Sequence, residues 1–412
     1  MGLQDTVSAE RVHIGFFGLR NAGKSSLVNA VTGQDLSVVS PVKGTTTDPV
    51  QKAMELLPLG PVVILDTPGL DDEGELGALR VKRAKQALSR TDVAVLVTDG
   101  TQPLHDLDRE MLEEFRHRGL PYLVARSKCD LLSDRAPTDG DTLYVSAVTG
   151  ENVRQLKERL AAIAAEHKTE KPLIADLLQP GDLTVLVTPI DESAPKGRMI
   201  LPQQQTMRDL LDHHLSFITC QPQELPHVLQ SLARPPKLVV TDSQAFAAVD
   251  RVTPPEILLT SFSILFARYK GSLPLLVQGA AALAKLQNGD KVLVSEGCTH
   301  HRQCGDIGTV KLPAWIRSYT GAEPAFTFTS GREYPEDLAA YALVVHCGGC
   351  MLNETEMQSR IRTARDCGVP IVNYGVAIAQ MHGILRRSLQ PFPQIESLLQ
   401  NTESADDKEN SD

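Results

Sequence analysis

Two groups of residues in this 412-residue chain have the types and spacing that chemistry needs. The first is Gly18-Leu19-Arg20-Asn21-Ala22-Gly23-Lys24-Ser25, which fits the pattern G-x-x-x-x-G-K-S. In such a run the glycines let backbone N–H groups curl round an anion at a helix N-terminus. The lysine brings a point charge to the terminal phosphates, and the serine hydroxyl is a ligand for Mg²⁺. The second group is Cys298-Thr299-His300, followed after 45 residues by His346-Cys347-Gly348-Gly349-Cys350. Three soft thiolates, with an imidazole from His300 or His346 as an optional fourth donor, suit either a [4Fe–4S] cluster or tetrahedral zinc. Spacing does not separate the two. A structural zinc site fills four permanent positions, whereas a cluster held by three cysteines leaves one iron open to an exchangeable partner. The histidines also fit ordinary polar roles, and Cys304 is a further thiol nearby.

A phosphate loop alone does not choose the base. Asp66-Thr67-Pro68-Gly69 ends an apolar run as a Walker-B-type turn, Ser127-Lys128-Cys129-Asp130 ends a later one, and Ser146-Ala147 follows a third. These resemble the motifs of translation-factor-related GTPases, in which the residue matching Asp130 accepts from guanine N1 and N2 and the Ser-Ala loop caps the base. Charge-assisted bonds of that kind contribute about 1.5–3 kcal/mol each. The nucleotide set is therefore Gly18, Asn21, Ala22, Gly23, Lys24, Ser25, Ser26, Thr45, Thr46, Asp66, Gly69, Lys128, Asp130, Ser146 and Ala147. Within it Ser25 and Thr46 are assigned to Mg²⁺, and Lys24, Asn21, Thr46 and Asp66 to catalysis. Ser127 stands where asparagine is usual, which removes an amide that braces the loops.

Asn21, together with Gly44-Thr45-Thr46-Thr47-Asp48, resembles the potassium-activated tRNA-modification GTPases. The resemblance implies K⁺ held against the phosphates by that asparagine, in place of an arginine finger. Leu70 follows Gly69, where Ras-like proteins carry the glutamine that positions water. Asp71, Asp72 and Glu73 offer polar substitutes or form a solvated loop. Slow hydrolysis that K⁺ accelerates is the expectation.

The elements that must position these groups alternate. An apolar strand from His13 to Phe17 runs into the phosphate loop and a helix from near Ser25. Strands follow at Val62–Asp66, Val93–Thr98, Tyr122–Arg126 and Thr142–Val145, with helices near Leu79–Leu88, Leu107–Arg116 and Val153–His167. This pattern is a doubly wound α/β domain, assigned to residues 1–168. Glu166–Pro172 reads as a linker. A middle α/β domain, 178–268, shows strands at Leu183–Thr188 and Leu238–Thr241 and a helix at Thr206–Leu215. It carries no chemical constellation, so assembly is its expected role.

From residue 269 to 398 the pattern is helix Leu275–Leu286, strands Lys291–Ser295, Ala325–Thr329 and Ala342–His346, helix Thr355–Cys367 and strand Pro370–Asn373. That predicts a Rossmann-like parallel sheet. Cys298 and Cys347 both lie just past the carboxyl ends of strands, where open α/β sheets bind ligands. The tail, 399–412, is acidic and nearly devoid of apolar residues, which predicts disorder.

A net charge of −10 repels phosphate backbones, so nucleic acid is not an expected partner. The sequence shows neither a secretory leader nor a run of 18 uncharged apolar residues, which points to the cytoplasm and away from membranes. Seven cysteines in a long intracellular chain, four of them between residues 298 and 350, suit metal better than disulfides.

A GTPase with a Gly-Thr-Thr-Thr-Asp switch, a linking middle domain and C-x-H followed by H-C-x-x-C resembles the HydF family of [FeFe]-hydrogenase maturation GTPases. The resemblance covers the chain up to the acidic tail. It implies a [4Fe–4S] cluster on Cys298, Cys347 and Cys350, an exchangeable fourth ligand for which His300 and His346 are candidates, and a homodimer formed through residues 178–268. It also implies a scaffold and carrier. A transient di-iron subcluster precursor would come from radical-SAM maturases and pass to apo-[FeFe]-hydrogenase, with GTP hydrolysis as the switch. The rival reading is a potassium-activated tRNA-modification or ribosome-assembly GTPase with a structural zinc site.

Overall fold

A computed structural model describes residues 8–34, 50–69, 83–135, 140–167, 171–190, 199–297, 306–331, 333–335 and 337–395. The chain divides into two compact units, Met1–Glu170 and Lys171–Asp412.

The first unit is built on a six-stranded sheet in the order β2-β3-β1-β4-β5-β6. Its strands are β1 (Val12–Phe17), β2 (Val50–Leu56), β3 (Gly60–Asp66), β4 (Val93–Asp99), β5 (Tyr122–Ser127) and β6 (Thr142–Tyr144). All neighbours run parallel except β2, which pairs antiparallel with β3. The parallel strands are nearly continuous apolar runs because both faces are covered. Ile14, Phe16, Val95 and Leu123 are buried on one side, and Phe17, Leu96, Phe115 and Val124 on the other. The helices Lys24–Thr32, Asp106–His117 and Val153–His167 pack over these faces, and residues 83–88 are also helical. The linker expected from Glu166 begins later, since Glu166 and His167 still belong to the last of these helices. The sequence reading missed β2: its Val-Gln-Lys-Ala-Met-Glu-Leu run is half polar because it is a sheet edge.

The second unit holds two four-stranded parallel sheets. One has the order β10-β9-β7-β8, from β7 (Leu183–Val187), β8 (Ser216–Cys220), β9 (Leu238–Thr241) and β10 (Leu258–Ser261). The other has the order β12-β11-β13-β14, from β11 (Lys291–Ser295), β12 (Ala325–Thr329), β13 (Leu343–His346) and β14 (Ile371–Asn373). A single apolar cluster runs from Leu173 to Phe392 and includes Leu186, Val239, Phe262, Phe266, Leu276, Val294, Val345 and Val376. The helices Phe262–Tyr269 and Leu273–Ala280 supply much of it. Within this unit, therefore, the two sheets share one core.

The topology of the second sheet decides where the segments leaving β11 and β13 begin. From β11 the chain goes first to β12 on one side and later to β13 on the other, so the order reverses between β11 and β13. A crevice opens beyond the carboxyl ends of strands at such a reversal. Ser295 is registered opposite His346 across that pair, so the segments leaving β11 and β13 start side by side.

Candidate nucleotide and metal sites

The phosphate loop leaves β1 with Gly18 at φ +142°, and a Cβ there would lie 2.1 Å from the Val97 carbonyl oxygen. Only glycine fits that approach. Asn21 and Gly23 also have positive φ, and the helix starts at Lys24. Lys24 is buried, its Nζ folded back to donate to the carbonyls of Gly18 (2.9 Å) and Leu19 (3.1 Å). Those are weaker acceptors than a phosphate oxygen, so the ammonium is stored where a nucleotide can draw it out.

Asp66 ends β3, with Ser25 hydrogen-bonded to its carboxylate. Burial pushes its carboxyl up, and the Lys24 charge and the Ser25 hydroxyl only partly offset this. Its Oδ1 is buried without a hydrogen-bond partner. An orphaned carboxylate oxygen beside a serine hydroxyl fits Mg²⁺, a hard cation that takes oxygen ligands. Gly69 packs against the backbone of Arg20, 3.0 Å from where its Cβ would be, which places the Asp66–Gly69 turn on the phosphate loop.

The base-reading motifs are in register with this loop. Lys128 has φ +57° and its Nζ donates to Asp99 Oδ2 at 2.6 Å. Partial burial raises the Asp99 carboxyl, but the bonds from Lys128 and Thr101 outweigh it and hold Asp99 below the usual carboxylate range. Asp130 is exposed at the loop surface. Ser146 is buried, and its Oγ accepts from the N–H groups of Val148 (3.2 Å) and Thr149 (3.1 Å), preforming the turn that carries Ala147. Ser26 lies on the exposed side of the first helical turn. Thr45, Thr46 and the rest of the switch sequence lie outside the described residues, as do Leu70 to Glu73.

Two features differ from the sequence reading. Ser127 does not leave the loops unbraced: its Oγ donates to the Ala22 carbonyl at 2.5 Å, tying the β5 loop to the phosphate loop. A short hydroxyl suffices because the two backbones approach closely; a Cβ on Gly23 would come within 3.1 Å of that oxygen. Asp99, which orients Lys128, was missed. Its only sequence signal is its place at the carboxyl end of β4.

At the second site, Cys298 and His300 lie outside the described residues, and so does Cys304. The chain can be followed to Gly297, whose N–H donates to Cys347 Sγ at 3.0 Å; Gly349 N–H approaches the same sulfur at 3.4 Å. Gly349 has φ +64°, which lets the Cys347–Cys350 segment turn back, whereas Gly348 has no such requirement. Lys270 Nζ pins the far side by donating to the carbonyls of Cys350 (3.2 Å) and Leu352 (2.9 Å). Burial, with Cys350 beside it, pushes the Cys347 thiol up to about 11, and the N–H bonds from Gly297 and Gly349 pull the other way. Burial also raises Cys350. Such thiols release their protons when a metal binds.

No group of three or more histidine, cysteine or acidic side chains is gathered round a metal position among the described residues. The donors do fit a thiophilic centre: Cys347 and Cys350 share a turn, and the residue before Cys298 is hydrogen-bonded to Cys347.

His346 is buried, with Nδ1 at 2.7 Å from the Cys347 carbonyl oxygen and Nε2 at 3.1 Å from a terminal nitrogen of Arg360. Burial and the Arg360 charge push its imidazole down to about 3. Arg360 was not singled out in the sequence, where it is one of several arginines on a polar helix.

Comparison with known proteins now separates the two units. A family model described as the 50S ribosome-binding GTPase matches residues 13–128. The hydrogen maturase F dimerization domain matches 173–271, and the hydrogen maturase F tetramerization domain matches 274–391, together more than half of the chain. The chain belongs to the hydrogen maturase F family. Outside this family, the tRNA modification GTPase MnmE of Xanthomonas oryzae pv. oryzae is 38% identical over 154 residues, 37% of this chain and 34% of that protein. The MnmE of Bordetella petrii is 33% identical over 174 residues, 42% and 38% of the two chains. The chain thus spans about a third of the length of these curated relatives. A solved structure of Era with MgGDPNP and a 16S ribosomal RNA segment is 26% identical, with a TM-score of 0.34 over 39% of this chain and 59% of that one. The hydrogen maturase F descriptions name assembly for both matched regions of the second unit. No helix among the described residues is long and apolar enough to cross a membrane.

Proposed function

We propose that this chain is a GTP hydrolase and an iron–sulfur scaffold and carrier in the maturation of [FeFe]-hydrogenase. The supporting observation is the hydrogen bond from Gly297 to Cys347 Sγ, which sets the neighbour of Cys298 against the Cys347–Cys350 turn at the reversal of a parallel sheet. Family membership supplies the process. The division 1–168, 178–268, 269–398 and 399–412 assigns nucleotide chemistry, dimerisation, cluster binding and a tail in turn.

In the nucleotide site the N–H groups from Asn21 to Ser25 wrap the phosphates, and Lys24 leaves the Gly18 and Leu19 carbonyls for the β and γ groups. Ser25 and Thr46 hold Mg²⁺ with Asp66 behind them, and Asn21 holds K⁺. Asp130 reads guanine, with Gly69 sensing the γ-phosphate, and Ser146-Ala147 closes over the base. In the second site Cys298, Cys347 and Cys350 hold the cluster, and His300 remains a candidate fourth ligand. A [4Fe–4S] cluster bound there would supply an iron corner to which a di-iron precursor docks. The protein's own part is to exclude water with the Leu352 and Met357 side chains, both buried, and to keep the Cys347 turn oriented.

The partners proposed are a second copy of the chain, radical-SAM maturases and apo-hydrogenase, in the cytoplasm. The test is transfer: this chain, purified anaerobically from cells containing the maturases, should confer hydrogen evolution on apo-[FeFe]-hydrogenase. Absence of activation, from protein shown to carry its cluster, would overturn the carrier role. A second reading rests on the identity to tRNA modification GTPases in the first unit alone. It requires retardation of bulk tRNA at modest salt, which the net charge of −10 opposes.

A further inference from the structure

We propose that Arg360 is a positioning residue that withdraws His346 from the ligand pool, so that the fourth coordination position is kept for a group other than this imidazole. The inference rests on the cluster reading of Cys298, Cys347 and Cys350.

A neutral imidazole has one N–H and one lone pair, and a metal needs the lone pair. A guanidinium only donates and is never neutralised in a protein. The Arg360 nitrogen 3.1 Å from His346 Nε2 therefore donates to it, which leaves the ring proton on Nδ1, donating to the Cys347 carbonyl at 2.7 Å. Both ring nitrogens are engaged. The lone pair faces Arg360, and the N–H orients the backbone of a thiolate ligand.

Arg360 cannot easily swing away. Its other terminal nitrogen donates to the Gly331 carbonyl (2.7 Å) and to Glu356 (2.8 Å), one turn earlier on the helix Glu354–Asp366. The guanidinium lies 5.1 Å from the centre of the Tyr334 ring, and the Tyr334 hydroxyl donates to the Arg360 carbonyl at 3.1 Å. Ser295, at the end of β11, is 3.5 Å from the nitrogen that serves His346. Arg360 is 3% exposed and His346 0%. A buried network this fully satisfied favours a single arrangement. It also links the ends of β11 and β13, the two strands whose outgoing segments carry the cysteines.

Two readouts test the clamp. On iron- and sulfide-reconstituted, reduced protein with ¹⁵N-labelled histidine, pulsed paramagnetic resonance should give the same nitrogen couplings in the native chain and in His346→Asn. Arg360→Met should add a histidine nitrogen coupling that disappears in the Arg360→Met, His346→Asn double variant, while Arg360→Lys, which keeps a donor, should match the native spectrum. Loss of a native coupling in His346→Asn, or an Arg360→Met cluster without a new nitrogen, would overturn the proposal. On metal-free protein, nitrogen NMR should show His346 as the Nδ1–H tautomer, retained in Arg360→Lys and replaced by a mixture in Arg360→Met. An Nε2–H tautomer in the native chain would overturn the clamp even if no Arg360 variant folds. Absence of iron in every variant would instead sink the underlying cluster reading, a result the tautomer measurement does not share.

Discussion

The phosphate loop and the Cys347 turn both leave the carboxyl end of a central parallel strand, but one is written in consecutive residues and the other across the fold. Between Gly18 and Ser25 eight neighbours in sequence supply nearly everything the anion needs, and the backbone itself is the binding surface. Around Cys347, Gly297 bonds its sulfur, Lys270 the Cys350 carbonyl and Arg360 the His346 ring, each from another segment of the chain. The two sites also store their polar groups differently. The nucleotide site leaves Asp66 Oδ1 without a partner and parks Lys24 on carbonyls, ready to exchange. Around Cys347 the sulfur, the imidazole and the guanidinium are already hydrogen-bonded. Loose ends suit a site that turns its ligand over, and bracing suits the proposed role of holding a group between partners.

That contrast can be broken by separating the sites. Lys24→Ala should lower GTP hydrolysis by at least about a hundredfold, since it removes a charge-assisted contact made in a phosphoryl-transfer transition state. Its iron content after anaerobic reconstitution should equal the native value. Cys347→Ser should do the reverse, with iron reduced to a small fraction and hydrolysis within about twofold of native. Loss of both properties in either variant would show that the sites are not independent. Replacing K⁺ by Na⁺ should slow hydrolysis roughly tenfold if Asn21 holds a monovalent cation as the arginine-finger equivalent, and equal rates in the two buffers would remove that role. The smallest expected effect is that of Ser127→Ala. It loses one neutral hydrogen bond to the Ala22 carbonyl, about 0.5–1.5 kcal/mol, so GDP should bind roughly twofold to tenfold more weakly by calorimetry. Unchanged affinity would mean that the brace is dispensable.

Sequence patterning carried much of the fold because parallel strands covered on both faces are unbroken apolar runs. Lys291–Ser295 and Leu238–Thr241 coincide with the strands observed, and so does Ala325–Thr329, although it is a largely exposed edge strand. The edge strands β2, β8 and β10 escaped: β2 and β8 are partly polar on one side, and β10 is only four residues long, just after the Pro254-Pro255 break. Thr206–Leu215 was displaced: the helix spans Leu201–Asp212, with Pro202 in its first turn, a signal that could have set the start. Two sheets in residues 171–412 were legible as separate domains; that they share one core was not, since the apolar faces alone do not say which sheet they meet.

At the nucleotide site the phosphate loop was legible, whereas the brace from Ser127 was not, because its bond depends on how closely two loops approach. At the candidate metal site the cysteines stand out by type and spacing; Cys347 and Cys350 share a turn, while Cys298 lies outside the described residues. The occupation of His346 was not legible, because the histidine and its guanidinium partner come from different elements and meet only in the folded chain.

The most direct test is metal and sulfide analysis of the full chain purified and reconstituted without oxygen. The account predicts about four iron and four sulfide per chain, with an absorbance that bleaches on reduction, and negligible zinc. One tightly held zinc per chain, or colourless iron-poor protein after reconstitution, would contradict it.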